Sequence, residues 1–129
     1  MRFYELRTPD VWGDYGTILI GGMASHDPED GSLQLSRTGP FIPPISFPCD
    51  DPVVTDVFRG ELAERFPELK FREVTKKKIV ELHWEHWPRD QEAREYPESY
   101  EPEDYIFQRE HSPTAAKKMG PVWQVVLSE

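Results

Sequence analysis

The sequence contains only one cysteine, Cys49, in 129 residues. One cysteine excludes an intrachain disulfide and every Cys-x-x-Cys metal motif. No run of apolar residues is long enough to span a bilayer, and the first residues, 1–7, lack the apolar stretch of a signal peptide. We therefore expect a cytoplasmic protein with no membrane partner. The length predicts a single domain, residues 1–129.

Motifs of common enzyme classes are also missing. There is no Gly-x-Ser-x-Gly elbow and no glycine-rich phosphate loop. One cluster, His83-Trp84-Glu85-His86-Trp87, has the residue types of a metal site. Side chains alternate on a strand, so His83 and His86 would point to opposite faces, and His83 with Glu85 would need a distant histidine to complete a site. We expect no metal, no cofactor and no enzymatic activity; a small metal-assisted hydrolase using His83 and Glu85 is the alternative.

Negative charge is concentrated in one part of the chain. The net charge is −9, and residues 90–104 alone carry seven acids against Arg94, a net −6. Phosphate backbones repel such a chain, whereas a basic protein is attracted to it. Tyrosines, which are enriched at interfaces, are interleaved with these acids. The predicted partner-binding residues are Glu92, Glu95, Tyr96, Glu98, Tyr100, Glu101, Glu103, Asp104 and Tyr105. An acidic loop that only keeps the protein in solution is the alternative.

The pattern of apolar residues predicts an α+β fold with a mainly antiparallel sheet of about five or six strands. Strands are expected at residues 2–7, 14–23, 33–35, 69–87 and 122–127, with a turn at 25–32 and a long acidic loop at 88–104. Residues 105–107 are expected to form a short strand or an apolar anchor.

Two short helices are predicted. The first begins at Thr55 or Asp56, whose side-chain oxygen caps free N–H groups, and ends at Pro67. The second has Ser112 as its N-cap and Pro113 at its first position, and ends at Gly120.

Residues 37–59, "RTGPFIPPISFPCDDPVVTDVFR", contain five prolines and many large apolar residues. A disordered linker has low hydrophobicity, and a regular strand or helix rejects proline. We call this segment the proline strap. Its prolines are expected to hold the backbone extended without strand pairing while its apolar side chains anchor it across a core. A peptide-binding module with a proline and aromatic groove is the alternative.

"RTGPFIPPISFP" and "VVTDVFR" within residues 33–59, with "YPESYEPEDYIFQREHSPTAAKKMGPVWQVV" at 96–126, resemble a family of immunity proteins of bacterial polymorphic toxin systems, known from myxobacteria. The resemblance implies a protein that binds a toxin encoded beside it and protects the producing cell. It supplies no catalytic residues, and the Cys-x-x-Cys-Gly motifs of a related group are absent here. The motif positions are interpreted as structural: Arg37, Gly39, Pro40, Phe41, Pro43, Pro44 and Thr55.

The sequence thus predicts an immunity protein that neutralises a cognate toxin through residues 90–104, which we call the acidic segment. The toxin is expected to be basic, as nucleases are because they bind phosphates. The free protein is expected to be a monomer or a weak homodimer and to bind no nucleic acid.

Overall fold

A computed structural model describes residues 1–7, 21–39, 42–82 and 101–127. These ranges form a single small α+β domain with seven strands in two sheets and three short helices. The elements are β1 (Met23–His26), β2 (Leu33–Gly39), β3 (Ile45–Ser46), β4 (Val53–Thr55), α1 (Asp56–Arg65), β5 (Lys70–Glu73), β6 (Thr75–Glu81), α2 (Asp104–Gln108), α3 (Pro113–Met119) and β7 (Val122–Val126). The predicted fold class is confirmed, and the strands are divided between two sheets rather than joined in one.

The three-stranded sheet has the order β1-β2-β6, with β1 antiparallel to β2 and β2 parallel to β6. Helix α3 packs against one face of this sheet and α2 against the other. Neighbouring residues of β6 therefore meet different helices, and Ile79 and Val80 are both fully buried.

The four-stranded sheet has the order β3-β4-β7-β5 and is antiparallel throughout. One face contributes Val53 and Val122 to a core shared with the three-stranded sheet and α3. The other face contributes Val54 and Val125 to a second core. That second core is closed by α1 through Leu62, so this sheet too is buried on both faces.

The two predicted helices are confirmed, together with their caps. The Thr55 hydroxyl accepts a hydrogen bond from the Phe58 amide, 3.3 Å away, at the start of α1. The Ser112 hydroxyl accepts one from the Ala115 amide at 3.1 Å. Helix α3 ends at Gly120, whose φ of +73° suits glycine.

Three local predictions are wrong. Residues 2–7 are not a strand, because no strand within the described ranges pairs with them. Residues 105–107 lie in helix α2. The predicted turn at 25–32 begins later, because Ser25 and His26 still belong to β1.

The predicted strand over 69–87 is two strands that belong to different sheets. The chain passes from one sheet to the other at Val74, which is buried and donates its amide to the carbonyl of Val122 at 2.9 Å. The apolar alternation shifts at this junction, because Phe71 and Val74 are three residues apart and pack into different cores; the prediction of one continuous strand missed this shift. Residues 83–87 and most of the strand expected at 14–23 lie outside the described residues.

The proline strap connects the two sheets. It begins in β2, and its apolar side chains go first to the shared core at Ile42 and then to the second core at Ile45 and Phe47. The expectation that it forms no strand pairing is wrong, because β3 and β4 pair within it. Pro44 and Pro52 immediately precede these strands, a position at which proline is tolerated. This arrangement is consistent with the expected role of the proline strap as a structural connection.

Candidate functional site

The described end of the acidic segment is a turn that leads into α2. The amide of Asp104 donates to the carbonyl of Glu101 at 3.0 Å, and the amide of Ile106 donates to the carbonyl of Glu103 at 2.9 Å. Glu103 and Asp104 thus lie at the helix N-terminus, where carboxylates interact favourably with the helix dipole. Glu101 is exposed on the approach to the helix. The other predicted partner-binding acids and tyrosines, residues 92–100, lie outside the described residues.

Tyr105 is not an exposed anchor, which corrects its place among the predicted partner-binding residues. Its side chain is only 5 % exposed, and the neighbouring Ile106 is buried as well. The guanidinium of Arg109 lies 5.4 Å from the centre of its ring. The side chain is turned inward by α2, whereas residues 105–107 were expected to form a short strand or an apolar anchor.

Phe107 is the exposed aromatic residue of α2. Its side chain is 62 % exposed, whereas the preceding Ile106 is 2 % exposed. An exposed phenylalanine beside the acids at the start of the helix places apolar surface next to negative charge. That combination is typical of a protein contact surface, whose few apolar anchors are surrounded by polar groups.

Three side-chain and backbone groups cover the outer edge of β6, on the side away from β2. The guanidinium of Arg109 donates to the carbonyl of Glu81 at 3.0 Å. The Nδ1 atom of His111 accepts from the amide of Ile79 at 2.9 Å, and the amide of Ser112 donates to the Ile79 carbonyl at 2.7 Å. These contacts take the place of a further strand and protect the edge from pairing with another chain.

The three consecutive lysines 76–78 are directed to two different places. The ammonium group of Lys76 donates to the carbonyls of Ala116 and Gly120, both at 3.0 Å, at the C-terminal end of α3. Lys77 and Lys78 instead line a groove between α2 and the three-stranded sheet. A bulge in β6 separates Lys76 from Lys78, because consecutive residues of β2 pair with them: Leu35 is opposite Lys76 and Ser36 is opposite Lys78. Lys77 is the extra residue.

The motif positions of the proline strap are largely buried. Arg37 is fully buried, its Nε donates to the carbonyl of Thr38 at 2.8 Å, and burial lowers the pKa of its guanidinium to about 9. Gly39 allows close packing, because a Cβ there would lie 3.1 Å from Ile79. Pro43 is buried and Pro44 is exposed. Pro40 and Phe41 lie outside the described residues.

A separate polar cluster lies where α1 meets β7. The indole N–H of Trp123 donates to the Asp56 carboxylate at 2.9 Å, and the guanidinium of Arg59 lies 4.7 Å from the centre of the Trp123 ring. Arg59 also donates to Asp56, at 3.2 Å. Each polar group is therefore engaged within the cluster, which fixes the first turn of α1 on the four-stranded sheet.

The residues of the alternative metal site, His83 and Glu85, lie outside the described residues. Among the residues that the structure does describe, no three His, Cys, Asp or Glu side chains lie close enough together to hold a metal ion. Two histidines elsewhere in the chain, His26 and His111, could have supplied the further ligand, and His26 lies 3.2 Å from the carboxylate of Asp51. His111 is engaged at the edge of β6.

Sequence reasoning missed the groove and the separate roles of the lysines. Strict alternation along one strand would place Lys76 and Lys78 on the same face and Lys77 on the other. The bulge instead brings Lys77 and Lys78 to the groove and leaves Lys76 at α3, and no residue type in the lysine run marks it. The exposure of Phe107 was missed for a different reason, because residues 105–107 were expected to be extended rather than helical.

No family model, no curated protein and no solved structure matches the chain. Each helix in the described part of the chain is too short or too polar to cross a membrane.

Proposed function

We propose that this protein is an immunity protein that binds a basic toxin and blocks it, and that it acts in the cytoplasm of the producing cell. The observation that carries the proposal is the concentration of charge. Residues 90–104 hold a net −6 of the total −9. A charge patch of this kind raises the rate at which an oppositely charged protein is captured.

The described end of the segment supports a role in protein contact. Glu101 is exposed, and Phe107 presents apolar surface a few residues further on. Charged groups steer an encounter, whereas buried apolar groups supply most of the energy of an established complex. Tyr96 and Tyr100 are proposed as further anchors, and Tyr105 is left out of this proposal because it is buried.

The proline strap is proposed to act as a scaffold and not as a peptide groove. Its apolar residues Ile42, Ile45 and Phe47 pack against the two cores. Side chains used in this way are not free to receive a peptide. Partner recognition is therefore assigned to the acidic segment.

The experiment is a rescue test in a bacterial host with the product of the neighbouring gene. We expect that product alone to stop growth and co-expression of this chain to restore it. The purified pair should form a stable complex by size-exclusion chromatography. A neighbouring product that does not harm the host, or growth arrest that this chain fails to relieve, would contradict the proposal.

A variant pair separates toxin binding from folding. Tyr100→Ala should weaken the complex by about 2 kcal/mol or more, because interface tyrosines are frequent anchors. Its melting temperature should remain that of the parent. The matched control is Tyr105→Ala, which removes a buried ring and should lower the melting temperature instead.

A further inference from the structure

The groove beside α2 has a volume of about 290 Å³. Its apolar lining comes from β1 and from α2, through Met23, Ile106 and Phe107, and Ala24 borders the groove while packing against the shared core. Phe107 forms a wall that is itself largely exposed. Pockets for drug-sized ligands start at about this volume and extend to three times as much, so this groove fits one large side chain better than an extended metabolite.

One part of the groove is polar and positively charged. Lys77 and Lys78 line it together, because the bulge after Leu35 inserts an extra residue into β6. The hydroxyl-bearing residues Ser25 and Ser36 lie along the same groove. Within the described ranges, neither of these two ammonium groups forms an ion pair or a hydrogen bond, in contrast to Lys76.

The occupant must therefore combine apolar bulk with negative charge in a small volume. Two ammonium groups and two hydroxyl groups donate hydrogen bonds, and a carboxylate accepts several. The last residue of a protein chain carries both features within one residue, an apolar side chain and an α-carboxylate. An internal segment would need two residues to supply them.

We propose that this groove binds the C-terminal residue of a partner chain, with the side chain against Ile106 and Phe107 and the α-carboxylate between Lys77 and Lys78. Capture of a chain terminus is an established mode of peptide recognition. The positive charge here contrasts with the acids at the start of α2, so the groove has its own ligand chemistry. It does not require the partner to be a toxin.

The test is a titration of the isotope-labelled protein with N-acetyl-phenylalanine, followed by amide chemical shifts. We expect saturable shifts at Ser36, Lys78 and Phe107. Two matched probes separate the contributions: N-acetyl-phenylalanine amide lacks the charge, and N-acetylglycine lacks the side chain. Each should bind about five- to tenfold more weakly, because a partly exposed ion pair and a single partly buried ring both contribute modestly.

Variants of the protein complete the test. Lys77→Met with Lys78→Met should weaken N-acetyl-phenylalanine about five- to tenfold and leave the uncharged amide probe unaffected. Lys70→Met removes an exposed lysine on the other sheet and should change neither. Phe107→Ala should weaken both phenylalanine probes. The proposal is overturned if the charged and uncharged probes bind equally, if the shifts lie elsewhere, or if no probe binds up to its solubility limit.

Discussion

Replacement of Lys76 by methionine should destabilise the protein, because its ammonium group caps α3. That group contacts two carbonyl oxygens, of Ala116 and Gly120, each at 3.0 Å. The last carbonyls of a helix have no partner inside the helix, and a cation at that end also interacts favourably with the helix dipole. Methionine keeps a long, unbranched stem and loses only the charge and the two hydrogen bonds.

The expected loss is about 1–2 kcal/mol. Hydrogen bonds to a charged group contribute about 1.5–3 kcal/mol when well formed. Lys76 is only half-buried, so solvent screening and the entropy of a long side chain reduce the net value. For a chain of this length the loss corresponds to a fall in melting temperature of about 3–8 °C.

The assay is urea unfolding followed by circular dichroism, with Lys77→Met as the matched control from the same lysine run. Lys77 is exposed and contributes no hydrogen bond among the described residues, so its replacement should change the stability by less than about 0.5 kcal/mol. Equal stability of the two variants would refute the assignment of Lys76 as the cap of α3.

Four further substitutions test the fold. Gly22→Ala should be strongly destabilising, because φ is +85° and a Cβ would lie 2.6 Å from a side-chain carbon of β2. Its control is Gly31→Ala, at φ +73° in open space, which should lower the free energy of unfolding only by the backbone strain of about 1–2 kcal/mol. Equal losses of stability in the two variants would contradict the close approach at Gly22. Thr55→Ala should lose about 1 kcal/mol of unfolding free energy through the N-cap of α1, and a loss of helical signal without any loss of stability would oppose this. His111→Leu should lower the free energy of unfolding by about 1–3 kcal/mol, because the amide of Ile79 loses its hydrogen-bond acceptor. Hydrogen exchange at the Ile79 amide should accelerate. Unchanged protection of that amide would show that the imidazole is dispensable.

Local signals in the sequence predict α1 and α3, whereas α2 was missed. Thr55 and Ser112 lie at N-caps as expected, and Gly120 ends α3. These signals act within one or two helical turns, so they depend little on the rest of the fold. The α+β class follows from the same local patterns.

Long-range features were not predictable from the pattern. The division of residues 69–82 between two sheets depends on which strands pair, and the three-residue step from Phe71 to Val74 does not say which partners those are. The parallel pairing of β2 with β6 and its bulge likewise leave no local mark. Tyr105 was assigned to the binding surface because the local sequence, an aromatic residue among acids, is the same for a buried helical residue as for an exposed loop residue.

The measurement that tests the central claim most directly is the association rate of the purified protein with the neighbouring gene's toxin at low and high ionic strength. The test variant replaces four acids of the segment by glutamine, at Glu95, Glu98, Glu101 and Glu103. The control makes the same change in charge at four exposed acids elsewhere, at Glu61, Glu64, Glu68 and Glu73.

We expect the segment variant to associate much more slowly than the parent at low salt, and more slowly than the control. The difference should shrink as salt is added, because exposed charges are screened beyond about 8–10 Å at ordinary ionic strength. If the segment variant associates at the parental rate at low salt, or no more slowly than the control, the acidic segment does not capture the toxin and the proposed binding surface is wrong.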